Sequence, residues 1–161
     1  MKIRNVQSAD YSPIISVLND WWGGRKMSDM LPKLFFVHFS ETSFIIEQDN
    51  KIHGFLIGFL SQTFADEAYI HFVGIHPDYR KQGLGQALYE YFFEIASSKN
   101  RNVVRCVTAP TNKSSIAFHT RMGFEIESKE TQMDAVPFYP NYDGEGEHRV
   151  LFTKYLSKSA G

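Results

Sequence analysis

Cys106 is the only cysteine in 161 residues, so an intramolecular disulfide and a thiolate zinc cluster are both excluded. Excess charge of either sign is also missing: 17 Lys and Arg face 18 Asp and Glu, a net charge of −1 with a pI near 6.6. A phosphate-backbone partner needs a basic surplus, so no nucleic-acid partner is expected. No apolar run is long enough to span a bilayer, and Met1-Lys2-Ile3-Arg4 enters a strand-like pattern without a signal-peptide core. A cytoplasmic protein without a membrane partner is expected. Internal repeats and linker-like composition are absent too, and residues 1–161 are expected to form a single domain.

What is present is a hydrophobic content of 43% with 22% charged residues, the balance of a chain that buries a continuous core. Lys2 to Val6 alternates as a short strand. Ser8 is expected to cap a helix in which Tyr11, Ile14, Ile15, Leu18, Trp21 and Trp22 recur at helical spacing. Gly23-Gly24 breaks it, and a second helix is expected from about Ser28 to Phe39 with Pro32 near its start. Phe44 to Glu47 and Ile52 to Leu60 read as a hairpin around Asp49-Asn50, followed by a third strand from Ala68 to Ile75. An amphipathic helix shows Leu84, Leu88, Tyr91, Phe92 and Ile95 on one face. Val103 to Val107 follows that crossover and should lie parallel to the preceding strand. Asn112 is a good N-cap for a helix over Ser115 to Met122, with Gly123 as a left-handed terminator. A strand then begins at Phe124, an irregular stretch runs from Pro137 to His148, and a last strand spans Arg149 to Tyr155. The order is β-αα-βββ-α-β-α-ββ: an α/β (α+β) chain with a mixed, mostly antiparallel sheet and helices on both faces.

One stretch organises the rest. From Tyr69 to Leu88 an apolar strand stops at Pro77, a polar turn follows, and a helix begins after Gly83 and Gly85. The first helical N–H groups lack intrahelical partners and form an anion site, beside which Arg80 and Lys81 add positive charge. A turn that merely redirects the chain is the competing reading. A Rossmann fingerprint would want a small residue where Leu88 stands, and a P-loop would need Gly-Lys-Ser or Gly-Lys-Thr; neither is present.

Arg80-Lys-Gln-Gly-Leu-Gly85, in its place after a strand ending at Ile75, resembles the phosphate-binding motif of the GNAT superfamily of acyl-coenzyme A-dependent N-acyltransferases. Asn112-Lys-Ser-Ser-Ile-Ala-Phe-His-Thr-Arg-Met-Gly-Phe124, one strand and helix later, is similar to the family's second signature. The resemblance implies an acetyltransferase with acetyl-CoA as co-substrate, an amine acceptor as the second partner and no metal. It implies that the amides of Lys81, Gln82, Gly83, Leu84, Gly85 and Gln86, with Arg80, hold the pyrophosphate. Val73 and Ile75 would pair with the pantetheine arm along a splayed strand, and Asn112, Ser115 and Phe118 would meet the cofactor from the far side.

A protonated amine must lose a proton before it attacks a thioester. The resemblance points to His71 and Tyr69 as base positions, with Glu67 as a fallback; the alternative for His71 is a hydrogen-bonded histidine at the sheet surface, and for Glu67 a solvated turn carboxylate. Many family members place a proton-donating tyrosine seven residues after the Asn, where this chain has His119. His119 is the candidate acid, or else a polar residue at the cofactor mouth. Cys106, inside an apolar strand, is expected to be inert core, which favours direct transfer without an acyl-enzyme. Trp22 and Arg25 on one wall and Tyr142 and Asp143 on the other are candidate acceptor contacts, with Asp143, Glu145 and Glu147 suited to a cationic amine and Arg25 to an acceptor bearing a carboxylate; the alternatives are a core position for Trp22 and a merely solvated acidic loop. A non-catalytic acyl-CoA binding or sensing module is the competing function. Exposed final strands could pair across a homodimer.

Overall fold

The computed structural model describes residues 1–156. Its centre is a seven-stranded sheet in the order β1-β2-β3-β4-β5-β9-β6, built from β1 (Lys2–Asn5), β2 (Phe44–Gln48), β3 (Lys51–Leu60), β4 (Glu67–Ile75), β5 (Val103–Thr108), β6 (Glu125–Ile126) and β9 (Val150–Tyr155). Two further strands, β7 (Gln132–Met133) and β8 (Val136–Pro137), form a separate two-stranded ladder. The helices are α1 (Tyr11–Trp21), α2 (Leu34–His38), α3 (Leu84–Ser98) and α4 (Lys113–Arg121). All sheet pairings are antiparallel except β4 with β5. The mostly antiparallel sheet and the expected β-αα-βββ-α-β-α-ββ order are present, with the β7/β8 ladder as an addition. No helix among the described residues is long and apolar enough to cross a membrane.

Alternation along the strands divides the core in two. Ile14, Leu18 and Trp21 of α1 and Phe36 of α2 pack with Ile45, Phe55, Ile57 and Phe72 on one face. Leu84, Leu88, Tyr89, Phe92 and Ala96 of α3 pack with Leu56, Ile70, Val104 and Cys106 on the other, with Phe118 of α4 beside them. Cys106 lies in that core, and burial pushes its thiol pKa up, which leaves it protonated and inert.

Local chemistry explains where the elements depart from expectation. The lead into α1 is secured by Asp10 in place of Ser8: its carboxylate accepts from the Gln7 N–H at 2.7 Å and takes both arms of the Arg4 guanidinium at 2.9 Å. The expected helix from Ser28 to Phe39 is divided by Pro32. Leu31, just before it, is forced out of the helical region to φ −133°, leaving a 3-10 turn at Ser28–Met30 and only five residues in α2. On α3 the buried face includes Tyr89, while Tyr91 and Ile95 sit half-buried at its margins, because α4 lies alongside and widens the covered stripe. The strand after Phe124 is only two residues long, and the last strand, β9, lies inside the sheet with β6 as the edge.

Other expectations hold in detail. Asp49 and Asn50 both take left-handed φ, 53° and 61°, as a two-residue hairpin turn requires. Asn112 caps α4 by accepting from the Ser115 N–H at 3.1 Å, and Gly123 ends it at φ 89°.

Two irregularities of β4 shape the site. It pairs with β5 only from Glu67 to Tyr69, against Val103 to Arg105, and then diverges. Across from β3, Ile57 faces Phe72 but Gly58 faces Ile70, so His71 is an extra residue in a β-bulge. Before the bulge, Tyr69 packs on Phe59 and Ile70 faces α3; after it, Phe72 faces α1 and Val73 faces α3.

Candidate active site

The turn Pro77–Tyr79 leads into Arg80 and then to α3. Gly83 is the N-cap at φ 82°, a conformation open to glycine, and no side chain caps the helix. The first helical bond runs from the Ala87 N–H to the Gly83 carbonyl at 3.0 Å, so the amides of Leu84, Gly85 and Gln86 have no carbonyl within the helix to bind. Lys81, Gln82 and Gly83 are exposed, whereas the Leu84 side chain is in the core. Gln86 directs its amide to Glu90 at 2.9 Å. The resulting edge of amides next to an exposed lysine suits a doubly charged phosphate group. The Arg80 guanidinium has a different job. It donates to the main-chain carbonyls of Ile75 at 3.2 Å and Trp21 at 2.5 Å, tying the end of β4 to the end of α1.

Beside this loop β4 presents a bare edge. The His76 N–H bonds to the His53 carbonyl at 2.8 Å, which makes Gly74 and Phe72 the next residues bonded toward β3. By the alternation of an antiparallel ladder, Val73 and Ile75 then turn their N–H and C=O groups the other way, into the gap left by β5. An extended amide-bearing chain can pair there as an added strand. Across the gap, Phe118 lies 3.6 Å from where a Cβ on Gly85 would stand, so α4 adjoins the first turn of α3. Asn112 and Ser115 lie at the start of α4, with the Asn112 oxygen committed to the cap and to the Ser114 hydroxyl at 3.1 Å.

His119 does not project from α4 as a free donor. It is 6% exposed, stacked on Phe152, with Nδ1 at 2.7 Å from the Ser115 carbonyl and Nε2 at 2.8 Å from the Tyr89 hydroxyl. The carbonyl can only accept, so Nδ1 carries the proton and Nε2 receives the Tyr89 hydrogen. Burial, opposed by the Ser115 bond, lowers its pKa and keeps the ring neutral.

On the opposite face of the sheet, His71 stacks on Phe35 at 4.3 Å and its Nε2 lies 2.6 Å from the Met30 carbonyl. Burial lowers its pKa against the Met30 bond and Asp143, so the imidazole is neutral near pH 7. Tyr69 is the opposite case. Burial, with Cys106, Tyr142 and Asp143 adding to it, raises its phenol pKa, so it stays protonated and can donate but not act as a base at neutral pH. Glu67 is paired with Arg105 at 2.7 Å, and Arg105 also binds Glu127 and, at 2.8 Å, the Thr153 hydroxyl.

Of the acceptor candidates, Trp22 lies half-buried over Phe72 and close to Gly74, and Arg25 is exposed in the turn after α1. The segment between β8 and β9 is an ordered loop. Tyr139 and Arg149 exchange backbone bonds of 2.7 and 3.1 Å at its base, and Asn141 binds Gly146 at 2.8 Å within it. Phe138 joins the core, while Tyr142 is 49% exposed and Asp143 pairs with Arg149 at 2.7 Å. Tyr142 and Asp143 help to raise the Tyr69 pKa, and Asp143 works against the lowering of the His71 pKa, so the loop's charge bears on the same stretch of β4. A separate cleft of about 560 Å³ beside α1, with Arg4, Glu47 and Tyr79 in its wall, includes none of these acceptor-side residues. Met30, Phe35, Tyr89 and Arg105 were missed by sequence reasoning. A signal existed only for Arg105, a charged residue inside an otherwise apolar strand.

A bare strand edge, an uncapped helix N-terminus next to it and a neutral histidine on the other side of the strand can together hold a phosphorylated thioester and deprotonate a nucleophile. The sequence profile of the acetyltransferase (GNAT) family matches residues 7–124. The chain belongs to that family. Membership makes the protein an acyltransferase enzyme of the N-acetyltransferase kind with acetyl-CoA as co-substrate. It is similar to the [ribosomal protein bS18]-alanine N-acetyltransferase of Escherichia coli, 28% identical over 109 residues, 68% of each chain. In fold it is similar to Ard1 from Thermoplasma volcanium, with a TM-score of 0.77 at 18% identity over 97% of both chains. A Salmonella typhimurium acetyltransferase solved with acetyl-CoA superposes with a TM-score of 0.71 at 18% identity, covering 100% of this chain and 96% of that one.

Proposed function

We propose that this GNAT enzyme moves the acetyl group of acetyl-CoA to a primary amine of a small molecule or peptide by direct attack, with both substrates bound at once. The observation that carries this reading is His71: a neutral imidazole in a bulge of the strand whose other edge faces the gap beside the phosphate loop. Bound acetyl-CoA supplies the activated acyl group. The amides of Lys81 to Gln86 bind its pyrophosphate, the main chain of Val73 and Ile75 pairs with its pantetheine, and Phe118 flanks it with Asn112 and Ser115 nearby. An acceptor amine with a pKa around 10 arrives protonated, and His71 takes that proton so that the nitrogen lone pair is free. Tyr69 donates a hydrogen bond in the same cleft. His119, with both nitrogens engaged, holds α4 against α3. As the amide forms the nitrogen loses its second proton, which passes through water to the departing thiolate.

Trp22 and Arg25 form one wall for the acceptor, and Tyr142 and Asp143 the other. Peptide α-amines head the panel of acceptors, because the Escherichia coli relative acts on an alanine of a ribosomal protein. The test is thiol release from acetyl-CoA with alanine-terminated peptides, lysine-containing peptides and small amines, with His71→Ala alongside. Turnover with at least one primary amine is expected, with a loss on the order of 100-fold in His71→Ala. Thermal stabilisation by coenzyme A without turnover on any amine would instead make the protein a binding module, and full activity in His71→Ala would remove the base.

A further inference from the structure

His71 has two ring nitrogens, and the fold treats them differently. Nε2 is 2.6 Å from the Met30 carbonyl, an atom that can only accept, so Nε2 must carry the hydrogen of the neutral ring. Nδ1 therefore holds the lone pair. It has no partner among the described residues, yet the one buried, unpartnered side-chain polar atom there is Nδ1 of His53, which means His71 Nδ1 reaches solvent. The ring plane is fixed as well, since Phe35 stacks on it at 4.3 Å with 9° between the planes. Both contacts come from the segment that Pro32 breaks: Met30 ends its 3-10 turn and Phe35 lies in the first turn of α2.

We propose that residues 30–35 are a positioning element for His71, in which the Met30 carbonyl selects the tautomer and Phe35 holds the ring so that Nδ1 receives the acceptor's proton. Without the carbonyl the proton would exchange between the two nitrogens, and a ring protonated on Nδ1 has no lone pair on its solvent side. Without the stack the ring can rotate about its side-chain bonds, and misplacement on the order of 1 Å is enough to slow a proton transfer markedly. This inference rests on the acetyl-transfer reading for its kinetic consequences, but not for its structural content.

The experiment joins a spectroscopic and a kinetic arm on the full chain. Long-range proton–nitrogen NMR of the His71 ring, recorded without substrates above pH 7, is expected to show Nε2 protonated and Nδ1 bare. A ring protonated on Nδ1, or one averaging between tautomers, would overturn the proposal whatever the enzyme acetylates. In the kinetic arm, Phe35→Leu keeps apolar volume and removes the flat surface, and is expected to lower kcat roughly 10-fold while leaving the KM for acetyl-CoA unchanged. Phe35→Tyr should restore the rate. The acid limb of the Phe35→Leu pH profile should move up toward the ordinary imidazole value, as the ring gains water; Asp143 is the charged group that also bears on it. A Phe35→Leu enzyme that stays folded by thermal melting, with unchanged kcat and pH limb, would show that the stack positions nothing. A wild-type enzyme that turns over no amine would sink the acetyl-transfer reading alone, because the tautomer can still be read.

Discussion

The Tyr89 hydroxyl on α3 lies 2.8 Å from Nε2 of His119 on α4, and both side chains are buried. This single bond joins the helix that opens the phosphate loop to the helix on the far side of the gap. Removing the hydroxyl in Tyr89→Phe leaves a buried nitrogen without a donor, which costs about 1–3 kcal/mol. Urea unfolding should register that loss in the midpoint with little change in slope. If stability is unaltered, the bond contributes nothing and α4 is held by its aromatic contacts alone.

His119 and His71 both have pKa values lowered by burial, and the sign of their effect on stability follows. Below the ordinary imidazole value near 6.5 the unfolded chain binds protons that the folded chain does not, so stability falls as pH drops through that value. The loss continues until the lowered folded pKa is reached. Unfolding free energy measured between pH 8 and 5 should decline, and His119→Gln should flatten the decline. A slope unaffected by the substitution would assign the pH dependence to other groups.

Gly83 shows how backbone and space separate as requirements. Its φ of 82° is strained for any side chain, but a Cβ there would meet nothing within 4 Å. Gly83→Ala should therefore fold with a penalty of about 1–2 kcal/mol and weaken acetyl-CoA binding by shifting the amides of residues 81–86. Differential scanning fluorimetry with and without coenzyme A measures both. Unchanged coenzyme A binding in a destabilised variant would detach the loop conformation from its ligand.

The phosphate loop was legible because its chemistry is local: Gly83, Gly85 and the strand before them state their backbone needs in one stretch. Asn112 and Gly123 were legible for the same reason. The bulge at His71 was not, since Glu67 to Ile75 alternates without interruption in burial and the extra residue appears only in the register with β3. Nor could the sequence tell that Arg80 would bind carbonyls of Ile75 and Trp21, because the latter contact spans 59 residues. Pro32 was visible, but its effect on Leu31 was underestimated, and with it the short α2 that brings Phe35 to His71. Distance along the chain, more than residue type, separates what was read from what was missed.

Arg105 gathers two carboxylates, Glu67 and Glu127, and the Thr153 hydroxyl around one guanidinium. Those carboxylates come from β4 and from the residue after β6, and Thr153 lies on β9, so the arginine on β5 ties neighbouring parts of the sheet together. Arg105→Gln would leave the two carboxylates facing each other without a counter-charge, at about 1.5–3 kcal/mol for the lost charged hydrogen bonds. The double variant Arg105→Gln with Glu127→Gln should recover part of the loss, and additive penalties in that cycle would mean the three groups are not coupled.

Asp143 offers the sharpest test of how the loop and the base cooperate. Its carboxylate raises the His71 pKa while burial lowers it, and burial is the larger effect. His71 must be neutral to accept a proton, so kcat/KM should rise with pH through a value below the ordinary 6.5 and then level off. In Asp143→Asn the one charge that favours the imidazolium is gone, and the acid limb should move to still lower pH. The substitution also removes one of the two carboxylates paired with Arg149, leaving Glu147 at 3.3 Å, so the KM for the amine checks the loop separately. A shift of the limb to higher pH would place a negative charge from elsewhere near His71 or make another group the base. An unshifted limb with a raised amine KM would leave Asp143 as an acceptor contact that does not reach His71.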